Sequence, residues 1–123
     1  MQTARAATGT TPYALGLKAE AEARRLLENK RYEIIAQRYK TKAGEIDLVA
    51  KRGNHLAFVE VKKRKTQDEA AYSILPRQQA RIASAAEIFL GEHAELCQCS
   101  ASFDVILVSQ AQGCAHIEQA FLA

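Results

Sequence analysis

The sequence predicts one α/β domain with a mixed sheet flanked by helices, in the element order αβββαβ. Two segments have the apolar spacing of helices, from about Tyr13 to Asn29 and from Pro76 to Gly91. Three strands are predicted between them: Tyr32 to Lys40, with Ile34 and Ile35 as core candidates, and two segments that alternate as strands do, Glu45 to Val49 and Leu56 to Lys62. A β-branched apolar run, Phe103 to Ser109, follows the second helix. Strand, helix and strand in succession imply a right-handed crossover, so the strand after the helix should run parallel to the strand before it.

The first helix carries a carboxylate at the margin of its buried face. Its apolar positions recur at helical spacing: Leu15, Ala19, Ala23, Leu26 and Leu27. Glu20 lies seven residues before Leu27, so the two residues project from the same side of the helix, with Glu20 at the edge of the buried stripe. From there Glu20 could reach a site on the sheet, and a surface pair with Arg24 on the same helix is an equal alternative.

The second and third strands form a hairpin whose turn sets their register. Gly53-Asn54 favours a two-residue turn, because glycine reaches positive φ without a Cβ clash. Arg52 then lies opposite His55, which is expected to be a surface residue at the strand end. Continuing outward on one face, the register pairs Val49 with Phe58, Asp47 with Glu60, and Glu45 with Lys62. A three-residue loop would shift the register by one and make these pairs diagonal.

The opposed carboxylates of this hairpin predict a cation between them. Asp47 directly opposite Glu60 is destabilising unless something positive lies between the two side chains. Magnesium is typically held by one or two carboxylates, with water and substrate phosphate as its other ligands. Lys62 projects from the same face as Glu60 and could orient or deprotonate an attacking water. A solvated polar face with weak cross-strand ion pairs is an equal alternative on these residues alone.

The second helix places a polar residue on its buried side. Pro76 suits the first turn of this helix and Gly91 suits its end. The buried stripe is predicted to consist of Ile82, Ala86, Phe89 and Leu90. Gln78 lies one turn before Ile82, so Gln78 or Gln79 could point at the sheet, although an ordinary half-exposed polar role is favoured.

The remaining segments are a polar connection and a closing strand. Lys65 to Ser73, before the second helix, could be mobile and could close over a substrate. After the parallel strand, Gln112-Gly113 turns into a short last strand from Cys114 to Glu118. The tail that follows is expected to pack Phe121 and Leu122 on the core.

Length and composition fit a single domain over residues 13 to 123. The chain has 123 residues, of which 48% are hydrophobic, enough for one core. Residues 1 to 12 show no periodicity and are expected to be disordered. No apolar run reaches the length of a membrane span, and the N-terminus lacks a secretory apolar segment. We therefore expect a soluble cytoplasmic protein without a membrane partner.

Positive charge is concentrated around the predicted carboxylate site. Residues 30 to 65 contain eleven Lys and Arg against four Asp and Glu, whereas the whole chain carries a net charge of only +3. A run such as Lys62 to Lys65 could be no more than a solvated face. Around an acidic cluster, such a surplus suits a polyanionic partner, and nucleic acid is the expected one.

The cysteines are expected to be reduced thiols. Three cysteines, Cys97, Cys99 and Cys114, are an odd number in a chain without an export signal. With His93 and His116 they could be drawn as a zinc site, but the spacing matches none of the usual zinc patterns.

Two strand motifs resemble a known nuclease core. The sequence GEIDLVA at residues 44 to 50, followed by FVEVKKR at residues 58 to 64, closely resembles the Asp…Glu-x-Lys core of the PD-(D/E)xK nuclease superfamily. More narrowly, the chain resembles the small bacterial YraN-like family, which is itself similar to archaeal Holliday junction resolvases. The resemblance covers about residues 14 to 122.

This resemblance implies a restriction-endonuclease-like fold and a set of site residues. Asp47 and Glu60 would bind Mg²⁺ or Mn²⁺ together with the Val61 carbonyl, Lys62 would be the catalytic lysine, and Glu20 an auxiliary acidic residue. The candidate substrate-binding residues around this site are Lys63, Arg64, Lys42, Arg38 and Gln78. The sequence departs from the family pattern at four positions: Ala19 and Arg31 replace common glycines, Arg38 a common asparagine and Ser102 a common arginine.

Three alternative functions follow as expectations. The first is a metal-dependent DNA endonuclease that hydrolyses phosphodiesters, with branched DNA as one possible substrate. The second is a nucleic-acid-binding module without nuclease activity of its own. A general interaction protein with no nucleic-acid role is a third alternative. Resolving a junction needs two active sites, which suggests a homodimer by analogy.

Overall fold

The computed structural model describes residues 12 to 68 and 73 to 122. The predicted disordered segment therefore lies outside the described residues except for Pro12, and so do four residues of the polar connection. The described elements are helix α1 (Pro12–Asn29), strands β1 (Glu33–Lys40), β2 (Glu45–Arg52) and β3 (His55–Arg64), helix α2 (Pro76–Glu92), a 3₁₀ turn (Ala94–Leu96), and strands β4 (Ser100–Ser109) and β5 (Gly113–Phe121).

The sheet is mixed and has five strands in the order β1-β2-β3-β4-β5. Neighbouring strands are antiparallel except for β3 and β4, which are parallel and joined through α2. The predicted parallel pairing of these two strands is confirmed, and the αβββαβ core has the layout of a restriction-endonuclease-like fold. None of the helices in the described part of the chain is long and apolar enough to cross a membrane.

Each face of the sheet is covered by one helix. Beneath α1, one buried cluster joins Ala19, Ala23 and Leu27 to strand residues that include Leu48, Ala50 and Val59. Beneath α2, a second cluster joins Ile82, Ala85, Ala86 and Phe89 to strand residues that include Ile46, Val49 and Phe58. The predicted stripe of the second helix is confirmed, with Ala85 added to it and Leu90 only partly buried. Because both faces are covered, the middle strands are apolar on both sides.

The hairpin turn confirms the predicted register near the loop. Gly53 has a φ of 60°, and Arg52 lies opposite His55, so the loop has two residues. Val49 pairs with Phe58 as expected.

Helix α1 ends in a Schellman motif in which an arginine takes the left-handed position. The Tyr32 amide donates to the Leu27 carbonyl, and the Arg31 amide donates to the Glu28 carbonyl, both at 3.0 Å. Arg31 takes the left-handed position of this motif with a φ of 71°. Glycine is favoured there because it has no Cβ to clash.

The end of the chain differs from the prediction in two respects. Strand β5 is longer than expected and continues to Phe121, which stacks on Phe103 with ring centroids 4.9 Å apart. Leu122, expected to pack on the core, is 85% exposed, so that prediction is wrong. The strand ends at Phe121, and Leu122 lies beyond the edge of the sheet.

Candidate functional site

The carboxylate motifs line a cleft of about 230 Å³ between the sheet and α2. The cleft lies where β2 begins and β3 ends, and its walls include Asp47, Glu60, Gln78 and Arg81. Gly44, in the turn before β2, touches α2 closely: a Cβ added there would lie 3.1 Å from the Arg81 carbonyl oxygen. A glycine at this position therefore lets the helix approach the turn and form one wall of the cleft.

The ladder between β2 and β3 ends before it reaches the carboxylates. The last pair is Leu48 with Val59. The expected pairs of Asp47 with Glu60 and of Glu45 with Lys62 are therefore wrong as ladder pairs, because the two strands have separated there. A side chain closes the gap instead: the Val61 amide donates to Asp47 Oδ2 at 2.8 Å.

Asp47 lies in an environment that opposes its ionisation. Burial raises the pKa of Asp47 to about 7, and the neighbouring charges of Glu60, Glu20 and Glu45 add to this effect. The hydrogen bond from the Val61 amide lowers the pKa but does not outweigh the other causes. The negative charges converge here without matching donors.

Glu60 is held by one amide and one distant ammonium group. Gln78 Nε2 donates to Glu60 Oε2 at 2.9 Å, so Gln78 faces the sheet, which was the less favoured of the two alternatives for this residue. Lys62 Nζ lies 3.9 Å from the same oxygen, and both side chains are mostly buried, at 10% and 15% exposure for Lys62 and Glu60. Burial still raises the pKa of Glu60, although Lys62 and Gln78 oppose the shift.

Glu20 reaches the margin of this site from α1. Its Oε1 accepts a hydrogen bond from Arg38 Nε at 2.9 Å. The alternative partner, Arg24, pairs with Glu28. Glu20 is near enough to Asp47 for its charge to raise the Asp47 pKa. The structure thus brings together the four acidic and basic residues that the sequence motifs single out, Glu20, Asp47, Glu60 and Lys62.

The basic candidates are not among the residues that line the cleft. Lys63 and Arg64 are exposed at the end of β3, and Lys42 is exposed in the turn before β2. Lys63 faces away from Lys62 and lines a groove beneath α1 together with Lys18. Arg38 is engaged with Glu20. Arg81 lines the cleft but was not among the predicted site residues. Its position three residues after Gln78, on the same side of α2, could have indicated it.

The candidate metal ligands at the cleft are oxygen atoms. Within residues 12 to 68 and 73 to 122, no group of three or more His, Cys, Asp or Glu side chains is arranged to hold a metal. Two carboxylates and a backbone carbonyl are an oxygen-only set of the kind that Mg²⁺ uses with water and phosphate. N–H and C=O of a strand residue point to the same neighbour, so the Val61 carbonyl is directed to the side of Asp47. Asp47, Glu60 and Val61 therefore fit a hard divalent cation.

A second buried polar cluster lies on the α1 face and was not anticipated. Asp104 is 1% exposed and accepts from His116 Nε2 at 2.8 Å and from the Gln119 amide at 3.1 Å. Lys30 Nζ lies 2.8 Å from His116 Nδ1. Lysine can only donate, so Nδ1 is the acceptor and Nε2 carries the proton given to Asp104. Burial opposes ionisation of Asp104, but these donors and Ser102 outweigh it and lower its pKa.

His55 and Ser102 belong to the same cluster, which differs from the expectation that His55 is a surface residue. His55 is partly buried and bonds Ser100 Oγ and Ser102 Oγ, at 2.7 and 2.8 Å. His55 is therefore part of a polar network and not a simple surface residue. All three cysteines are free thiols, and no zinc cluster occurs among the described residues.

Comparison with known sequences gives one consistent result. Residues 19–108 match the model of the uncharacterised protein family UPF0102. The chain is similar to a UPF0102 protein of Rhodopseudomonas palustris, with 49% identity over 106 residues that cover 86% of this chain and 82% of the relative. A UPF0102 protein of Azorhizobium caulinodans is 47% identical over 109 residues, which cover 89% and 83% of the two chains. One of Parvibaculum lavamentivorans is 46% identical over 115 residues, which cover 94% and 86%. These names state no activity, substrate or cofactor.

Proposed function

We propose that this chain, which belongs to the UPF0102 family, is a metal-dependent endonuclease of the PD-(D/E)xK type that hydrolyses phosphodiester bonds in DNA. One observation carries the proposal. Two mostly buried carboxylates, Asp47 and Glu60, meet where β2 and β3 separate, and both have raised pKa values. A divalent cation would supply the positive charge that this arrangement calls for.

Three groups of this chain would hold the ion. Asp47 and Glu60 offer carboxylate oxygens and Val61 its backbone carbonyl, while water and a substrate phosphate would complete the ligands of Mg²⁺ or Mn²⁺. When bound, such an ion polarises the phosphoryl oxygen and acidifies water.

The neighbouring side chains would serve the reaction in different ways. Lys62 holds a positive charge 3.9 Å from Glu60 and could orient the attacking water or stabilise charge that develops on the phosphate. Gln78 fixes the orientation of Glu60 through its amide. Glu20 adds negative charge beside Asp47 and favours cation binding there.

The substrate would be DNA held by the basic residues around the cleft. Arg64 at the end of β3 and Lys42 in the turn before β2 are exposed, and Lys63 lies in the groove beneath α1. All three belong to the part of the sequence where positive charge is in surplus. Branched DNA is included in the proposal through the resemblance to junction resolvases. Paired cuts across a junction need two active sites, so a homodimer is proposed for that substrate. A DNA substrate and reduced cysteines fit a cytoplasmic location.

Nuclease assays with matched variants test the proposal. Labelled duplex, flap and four-way-junction DNA would be incubated with Mg²⁺ or Mn²⁺ and the wild-type protein, Asp47→Ala or Lys62→Ala. Glu87→Ala, an exposed carboxylate on α2, is the control. We expect cleavage by the wild type and the control, and loss of about 10²-fold or more in both site variants. Cleavage that survives in both site variants would contradict the site assignment.

The second candidate function is a nucleic-acid-binding module without nuclease activity. The surplus of basic residues between Lys30 and Lys65 favours it as much as it favours the enzyme. This alternative predicts DNA binding that weakens with salt, with no turnover under any metal condition. Binding measured in the same samples as cleavage separates the two functions, and analytical ultracentrifugation with and without junction DNA tests the homodimer.

A further inference from the structure

Strand alternation breaks at the same level in β1 and β2. On β2, Leu48 belongs to the cluster beneath α1, yet Ile46, two residues away, belongs to the cluster beneath α2. Their partners on β1 behave in the same way. Gln37, opposite Leu48, bonds Arg24 of α1, whereas Tyr39, opposite Ile46, contacts Phe89 of α2. In a regular strand, residues two apart share a face.

Arg38 is the residue at which β1 changes face opposite Ile46, whereas an earlier change of face, between Ile34 and Ala36, lies at a bulge. Arg38 lies between Gln37 and Tyr39 and has a φ of 50°, in the left-handed region. A non-glycine residue rarely takes this conformation, and asparagine tolerates it better than most. A left-handed residue within a strand reorients the backbone that follows it.

The break in β2 decides what the Val61 amide bonds. Hydrogen-bonded pairs alternate along an antiparallel ladder, and the two-residue turn makes Arg52 with His55 the first of them. If this alternation continued along a regular ladder, Ile46 and Val61 would form a hydrogen-bonded pair. Ile46 has instead turned toward α2, and the Asp47 carboxylate accepts from the Val61 amide. The same separation directs the Val61 carbonyl into the space beside Asp47.

We propose that Arg38 is a positioning residue for Asp47. The left-handed backbone at Arg38 changes the direction of β1, and β2 changes direction with it because the two strands are paired. The ladder between β2 and β3 therefore opens, and the Asp47 side chain accepts the Val61 hydrogen bond that the Ile46 carbonyl would otherwise accept. The Arg38 side chain has a separate role, because its guanidinium holds Glu20 at the margin of the site. Arg38 thus builds the site from the edge strand and is not primarily a substrate contact.

The Val61 amide reports this arrangement in metal-free protein. Its ¹H–¹⁵N chemical shift would be recorded for the wild type, with Asp47→Ala as the reference for the lost hydrogen bond. Arg38→Val forbids the left-handed backbone, whereas Arg38→Asn and Arg38→Gly allow it. Arg31→Val is the matched control, because it makes the same change at another left-handed arginine, at the end of α1.

We expect the Val61 shift of Arg38→Val to move to the value of Asp47→Ala. Arg38→Asn, Arg38→Gly and Arg31→Val should keep the wild-type shift. If Arg38→Val does not fold, Arg38→Ala carries the same test, because alanine also disfavours positive φ. If the Val61 amide of the folded valine variant keeps the wild-type chemical shift, the proposal is overturned. The same holds for the alanine variant if the valine variant does not fold.

A second readout, Mn²⁺ affinity by isothermal titration calorimetry, rests on the proposed function. We expect Arg38→Val to bind Mn²⁺ about tenfold more weakly, and Arg38→Asn to restore the affinity. Equal affinities for the wild type and the folded valine variant would contradict the positioning role. If the wild type binds no Mn²⁺, the proposed function fails, and the Val61 shift still decides whether Arg38 positions Asp47.

Discussion

Two carboxylates in the same sheet, Asp47 on β2 and Asp104 on β4, have opposite environments. Asp104 is the more buried, at 1% exposure, yet its pKa is lowered because His116, Ser102 and the Gln119 amide all donate to it. Asp47 is only partly buried, yet its pKa is raised to about 7. Its neighbours are mainly other carboxylates, and among the described residues the Val61 backbone amide is the donor that bonds it.

The difference shows that the number of donors, more than burial, separates a structural carboxylate from a candidate ligand. Asp104 has partners that compensate for the loss of water. Asp47 has too few, so the metal-free protein carries an electrostatic cost at that position. Such a cost is typical of functional sites, where residues are arranged for a ligand that arrives later.

The largest change in the free energy of unfolding is expected when the Asp104 carboxylate is removed. Asp104→Ala leaves the buried His116 side chain and the Gln119 amide without their acceptor, so we expect the free energy of unfolding to fall by about 3 kcal/mol. Urea denaturation at pH 7 measures it. The Asp104 contribution is present above the ordinary aspartate pKa and is lost as the pH falls below it. The deficit should therefore shrink at pH 3, and a deficit under about 1 kcal/mol at pH 7 would contradict the account.

Asp47→Asn is expected to have the opposite sign. The raised pKa means that the folded state binds the proton more tightly than the unfolded state, so stability falls as the pH rises from about 4 to about 7. Removing the charge should stabilise the metal-free protein at pH 8 by about 1 to 3 kcal/mol. The gain should be smaller at pH 5, where wild-type Asp47 is already largely protonated. If Asp47→Asn is less stable than the wild type at pH 8 in EDTA, the proposed difference between Asp47 and Asp104 is contradicted.

A smaller effect is expected at the end of α1. Arg31 occupies the left-handed position of the Schellman motif. Arg31→Gly should raise the free energy of unfolding by about 1 kcal/mol, because glycine takes this conformation without steric cost. Thermal denaturation measures the change, and Arg25→Gly, in an exposed position within the same helix, should destabilise by a similar amount. The same sign for both variants would contradict the explanation.

Local sequence patterns predicted the order of the elements and the strands and helices that carry the candidate site. The Gly53-Asn54 turn fixed the hairpin register, and the order of strand, helix and strand predicted the parallel pair. Gln78 was placed correctly on the buried side of its helix, where it bonds Glu60. These features depend on neighbouring residues and on periodicity, which a single sequence displays directly.

The features that were missed depend on contacts distant in sequence or on one unusual backbone angle. His55 looks like a strand-end residue until β4 brings Ser102 beside it. The separation of β2 from β3 follows a left-handed residue on a third strand, and an arginine gives no sign of that conformation. The ladder was therefore extended too far in the prediction, and Asp47 was paired with Glu60 when it bonds Val61.

Metal binding by the purified protein tests the central claim most directly. Isothermal titration of metal-free protein with Mn²⁺, followed by competition with Mg²⁺, would be compared among the wild type, Asp47→Asn, Glu60→Gln and the exposed control Glu87→Gln. The account predicts saturable binding by the wild type and the control, weakened at least about tenfold in both site variants. Equal Mn²⁺ affinity in all four proteins, or no binding by the folded wild type, would contradict a cation site between Asp47 and Glu60.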